Sequence, residues 1–137
     1  MSQTSAIILK FPESKAAEFE RLFKGEVLPL WRKFKSEGKF LAASLTPIQG
    51  GMTPRKGVRH YILHVELPGM AEHEEFDSHP LFTKFLAKAR ALQAEAPLVW
   101  FGETLFQVKR LEIVLHQGAF CYFWYHSGRG DNSSDSR

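Results

Sequence analysis

Arg59-His60-Tyr61-Ile62-Leu63-His64-Val65-Glu66-Leu67, residues 59–67, is a run of strand formers closed by Pro68-Gly69. Its neighbours on both sides decide what sort of sheet it joins. Upstream, residues 47–58 have the Gly, Pro and Thr content of a loop, and before them Phe40-Leu41-Ala42-Ala43-Ser44-Leu45-Thr46 reads as another strand. Two strands joined directly, with no helix between them, make an antiparallel pair. The rest of the chain is arranged around this pair.

Phe19, Leu22, Phe23, Val27, Leu30, Trp31 and Phe34 recur at spacings of three and four, with Lys, Glu and Arg between them. That is one apolar helical stripe. Ser14 is placed to cap the start of this helix. Pro29 removes a hydrogen bond inside it, so the pattern predicts a kink or two shorter helices that end near Gly38. Earlier still, Ala6-Ile7-Ile8-Leu9-Lys10-Phe11 reads as a buried strand stopped by Pro12. Beyond the central pair lies the acidic stretch Ala71-Glu72-His73-Glu74-Glu75-Phe76. Asp77 or Ser78 then precedes Pro80 at the start of a helix with Phe82, Phe85, Leu86, Ala89 and Leu92 on one side. Leu98-Val99-Trp100-Phe101-Gly102-Glu103-Thr104-Leu105-Phe106 reads as the last strand.

The order β-α-β-β-α-β makes an α+β, ferredoxin-like fold, a four-stranded antiparallel sheet with two helices on one face. Whichever parity of the last strand faces outward, it exposes either Trp100 and Phe106 or Val99, Phe101 and Leu105. An uncovered apolar sheet face predicts a partner, and a second copy about a two-fold axis is the simplest one. A homodimer through the open face is therefore expected.

The wording of the chain resembles that of the dimeric α/β-barrel superfamily, the antibiotic-biosynthesis-monooxygenase-like proteins. The resemblance covers residues 5–108. It rests on Phe19, Leu22 and Phe23, on Lys39-Phe40-Leu41, and on Asp77-Ser78-His79-Pro80-Leu81-Phe82-Thr83-Lys84-Phe85-Leu86. It implies two sheets facing each other with a cavity in each protomer, and a membership that includes cofactor-free oxygenases, haem-degrading enzymes and proteins without known activity. The family often has a His four residues before the helix Pro. This chain has Phe76 there, with His79 directly before Pro80 and His73 seven residues before it.

Candidate catalytic residues are His60, His64 and His79. Alternation puts His60 and His64 on one face of their strand, about 13 Å apart, too far to share a metal. Either can act as a base, although packing or hydrogen bonding at the sheet surface accounts for them as simply. His79 and His73 sit among carboxylates at the start of the second helix, a spacing that matches no metal-ligand pattern. Trp100 is a candidate wall for a flat aromatic compound, with Trp31 and Phe34 at the mouth. Core packing is the plainer role for all three. The loop over residues 50–57 lacks the order of a phosphate loop.

The totals agree. The chain has 137 residues, 44% hydrophobic and 13% aromatic with 12 Phe, which suits one domain with a substantial core. Its net charge of +3 is spread among Glu along the helices rather than gathered in a stripe, so no nucleic-acid partner is expected. No apolar run is long enough to span a membrane, and no signal peptide opens the chain. The single cysteine, Cys121, fits a reducing cytoplasm.

Residues 1–108 thus form the expected domain, residues 109–126 an aromatic β-hairpin extension, and residues 127–137 a disordered tail. Function is expected to be that of a small enzyme, monooxygenase-like and without a tightly bound cofactor, acting on an apolar or aromatic small molecule. The alternative is a non-catalytic dimer that holds a hydrophobic ligand or serves under stress; haem binding is a third and weaker reading.

Overall fold

In the computed structural model, which describes residues 1–51 and 55–109, the elements are β1 (Gln3–Pro12), α1 (Glu13–Ser36), β2 (Ala42–Pro47), β3 (Val58–Leu67), α2 (Met70–Asp77), α3 (Pro80–Leu92) and β4 (Leu98–Glu103). The strands form one antiparallel sheet in the order β2-β3-β1-β4. This is the expected ferredoxin-like α+β fold. Met1–Phe106 forms one compact unit. The hairpin expected over residues 109–126 and the tail over residues 127–137 lie, Lys109 apart, outside the described residues.

Register and burial divide the sheet into two faces. Leu9 pairs with Tyr61 and Ile7 with Leu63 on the helix side, where Leu9, Phe11, Tyr61, Leu63, Val65 and Leu67 are buried. The rows Ser44–His64–Ala6–Trp100 and Thr46–Ile62–Ile8–Leu98 run across the opposite face. Among the described residues no helix covers that face, and Ile62, Leu98 and Trp100 on it are exposed.

An aromatic cluster fastens α1 to the centre of the sheet. Phe11 stacks on Phe19 at 3.9 Å between ring centroids, and both rings meet Tyr61. The contacts continue from Phe19 and Phe23 to Phe85 of α3, then through Phe82 and Phe76 to Phe34 and Phe40. This packing explains why Pro29 does not divide α1 into two shorter helices, one of the two outcomes expected. Losing a helix bond and crowding the previous turn cost about 3 kcal/mol. Burying Phe19, Phe23, Val27, Leu30, Trp31 and Phe34 stabilises by about 1.5–3 kcal/mol each, and these residues flank Pro29 on both sides.

Ser14 does not cap α1. The helix begins one residue earlier, Pro12 stands at the cap, and Glu13 donates its backbone N–H to the Gly57 carbonyl instead. The C-terminus closes as a Schellman motif. Gly38, at φ +73°, donates to Lys35 O, and Lys39 N donates to Phe34 O at 2.8 Å. At the start of α3 the cap is His79: its Nδ1 accepts the Leu81 N–H at 3.2 Å and Pro80 takes the first helical position. The acidic stretch, to which the sequence pattern assigns no element, is the short helix α2. Phe76 is its one buried residue, so it carries no apolar stripe from which a helix could be read.

Tyr61 is fully buried and donates its hydroxyl to Glu20 Oε1 at 2.9 Å. Burial, with the carboxylate beside it as a second cause, pushes the phenol up to about 12. As pH rises above the ordinary tyrosine value of about 10, the unfolded chain releases this proton before the folded one does, so stability falls across that interval and is untouched below it. We predict that urea midpoints of the protein drop between pH 9.5 and pH 11.5 and that Tyr61→Phe flattens the drop; parallel curves for the two proteins would contradict this.

Candidate functional site

The aromatic anchor holds α1 and α3 over β1 and β3, and β4 stays at the edge of their cover. Where the cover thins there is a cavity of about 290 Å³. Its floor is Ser5, Ile7 and Leu9 of β1, Leu63, Val65 and Leu67 of β3, and Val99 of β4. Its roof comes from the three helices, with Phe19 and Trp31 of α1, Phe76 of α2 and Phe82 and Phe85 of α3. An engineered apolar cavity of about 150 Å³ accommodates benzene, so this one has room for a compound of about two rings. Arg90, Gln93 and Pro97 also line it.

Apart from Arg90 and Gln93, the polar lining residues gather at one corner. There Nε2 of His73 lies 3.1 Å from Oδ2 of Asp77 and 3.4 Å from Oγ of Ser5. The spacing of four residues on α2 puts His73 and Asp77 on one side of the helix. Ser5 reaches them from β1 because odd-numbered residues of that strand face the helices. Phe101 meets the imidazole edge-on at 5.3 Å between centroids. The His73 side chain is only 12% exposed, whereas Asp77 opens to solvent at 59%. Partial burial raises the Asp77 carboxyl above its ordinary value, and His73 pulls it back. When the imidazole is neutral and Nε2 carries the proton, that proton points at Asp77 and the lone pair sits on Nδ1. Nδ1 is buried and meets no hydrogen-bonding group among the described residues.

The residues singled out in the sequence fall into three places. His60, His64 and Trp100 share the helix-free face, as alternation required, and none of them lines the cavity. Nδ1 of His60 lies 3.2 Å from the carbonyl oxygen of Val58, and Trp100 is 56% exposed. His79 caps α3 and packs edge-on against Phe34. Phe34 belongs to the core, between Phe40 and Phe76. Trp31 alone of the six stands in the cavity wall. The corner formed by Ser5, His73 and Asp77 was not assembled from the sequence. The His73–Asp77 spacing was visible, but it acquires meaning only once α2 is helical. Ser5 is joined to them by the fold alone. The glycine-rich loop over residues 50–57 is described only at its two ends.

Among the described residues no three His, Cys, Asp or Glu side chains stand close enough to hold a metal ion, and no helix is long and apolar enough to cross a membrane.

No protein-family profile and no curated protein matches the sequence. Solved structures do match the fold. A provisionally named antibiotic biosynthesis monooxygenase from Caulobacter crescentus is 24% identical, with a TM-score of 0.60 over 77% of this chain and 91% of its own. SnoaB, a cofactor-independent oxygenase from Streptomyces nogalater, is 14% identical with a TM-score of 0.58, over 80% of this chain and 98% of its own. A dimeric protein of unknown function and ferredoxin-like fold from Bacteroides fragilis is 15% identical with a TM-score of 0.55, over 75% of this chain and 96% of its own. The chain therefore has the ferredoxin-like fold of the antibiotic biosynthesis monooxygenase-like proteins, the fold that its sequence resembles.

Proposed function

We propose that the protein binds an apolar, aromatic small molecule between its helices and its sheet and acts on it as a monooxygenase-like enzyme without a tightly bound cofactor. The observation that carries this reading is the cavity itself, lined mainly by Phe, Leu and Trp side chains, with a polar corner at Ser5, His73 and Asp77. Apolar walls with a few convergent polar groups are the ordinary form of a small-molecule site. An electron-rich hydroxyarene that has given up a proton can reduce dioxygen directly. One oxygen atom enters the substrate as a carbonyl, the other leaves as water, and the substrate loses two hydrogens. Such a reaction needs from the protein a dry, shaped pocket and one proton acceptor. His73, paired with Asp77, is the imidazole that stands there, and Trp31 is part of the wall.

We further propose that the protein works as a homodimer, joined through the helix-free face, in the reducing cytoplasm. Leu98 and Trp100 on that face, and Val99 and Phe101 on the other side of β4, are all between 45% and 59% exposed. The edge strand is thus apolar and open on both sides, which a protein free in water manages by pairing it. His60 and His64 then belong to the seam between protomers.

Two outcomes follow. Naphthalene binds the protein, and Ala89→Leu, which adds side-chain volume to a buried position in the cavity wall, weakens that binding about tenfold or more. Calorimetric titration reads the affinity, and oxygen consumption with two-ring quinols reads turnover; binding that Ala89→Leu leaves unchanged would contradict the cavity assignment. The double variant Leu98→Glu, Trp100→Glu changes exposed residues only and is expected to sediment as a monomer where the parent sediments as a dimer. A parent that is monomeric at micromolar concentration would contradict the pairing.

A further inference from the structure

Resting on the cavity reading above, the geometry points to His73 as the residue that selects the ligand: its Nδ1 accepts a hydrogen bond from a hydroxyl on the bound aromatic, and Asp77 is the positioning residue that keeps Nδ1 free to do so. Three observations carry this. Nε2 is engaged by Asp77 at 3.1 Å and by Ser5 at 3.4 Å, which commits the proton of the neutral ring to that side. Nδ1, across the ring, is buried and has no partner among the described residues, and a buried acceptor without a donor is a cost that folding alone does not explain. The ring lines a mostly apolar cavity whose other polar lining residues beyond this corner are Arg90 and Gln93. No described residue supplies a donor to that acceptor, and a ligand hydroxyl in the cavity can.

The groups facing His73 limit the alternatives. Asp77 on α2, Ser5 on β1 and Phe101 on β4 surround the ring, and none of them supplies a donor to Nδ1. At this corner a ligand carboxylate would meet the Asp77 charge and a lone pair on Nδ1, so an anionic group is disfavoured beside His73. A neutral hydroxyarene satisfies both the wall and the acceptor. The choice between such a compound and its unsubstituted parent is then made by one side chain, since a site built to bond a hydroxyl discriminates against the analogue that lacks it.

The test compares 2-naphthol with naphthalene and 2-methoxynaphthalene, two compounds that cannot donate. Calorimetry gives the affinity ratio of 2-naphthol to naphthalene for the parent and for His73→Phe, which keeps an aromatic ring of similar size. Taking the ratio of ratios cancels the difference in solubility between the compounds. We expect that His73→Phe lowers the preference for 2-naphthol about tenfold and leaves naphthalene binding within a factor of a few. In the parent, the Nδ1 nitrogen resonance of His73 is expected to move on addition of 2-naphthol and to stay in place on addition of naphthalene. That reading holds even if His73→Phe folds poorly. Asp77→Asn is expected to weaken the preference and to change the ring tautomer seen in the same nitrogen spectra. An identical preference in parent and His73→Phe, with no movement at Nδ1, would overturn the role of His73 while naphthalene binding kept the cavity assignment intact. Failure of all three compounds to bind would overturn both.

Discussion

The stacking of Phe19 on Phe11, with Tyr61 against both rings, seats the long helix α1 on the middle strands β1 and β3. Most of the structure depends on that seat. Each ring pair of this type is worth about 0.5–1.5 kcal/mol beyond the apolar area it buries. Phe19 and Phe23 pass the contact on to Phe85, so α3 is drawn to the same place. With both helices centred on two strands of a four-stranded sheet, β4 lies beyond their cover.

Two features follow from one cause. On the helix side the thin cover leaves a cavity, bounded by β4 and α2. On the other side, and along the edge, the apolar residues of β4 stay open to water. These places offer chemistry of different strength. A polar group in the cavity is shielded from solvent, so its hydrogen bonds and charge act at an effective dielectric well below that of water. His60 and His64, on the face proposed to pair with a second copy, are set about 13 Å apart along the strand, too far to act together on one group. His73, braced at Nε2 and buried at Nδ1, is in the more demanding environment.

The fold was legible because it depends on patterns that extend over many residues. The stripe from Phe19 to Phe34, the paired strands around the 47–58 loop and the Pro80 helix start each repeat a signal several times. What escaped was decided by single contacts. Pro29 read as a kink or a division into two helices, and the aromatic packing on both sides of it keeps α1 one helix. Ser14 read as a cap, and the Gly57 carbonyl took the N–H of Glu13 instead. The candidate site was the least legible part. Alternation correctly grouped His60 and His64, and the strand register added Trp100 to their face. Yet no pattern within a single element shows which face encloses space. Ser5 and His73 are 68 positions apart, and only the pairing of β1 with β3, which brings α2 back over β1, makes them neighbours.

The most direct measurement is the position of a heavy-atom aromatic such as 2-bromonaphthalene in crystals of the protein, read from the anomalous signal of the bromine. This account predicts a peak between β1, β4 and α3, within reach of Trp31 and His73. A peak on the helix-free face beside His64 and Trp100, with the space under the helices empty, would contradict it.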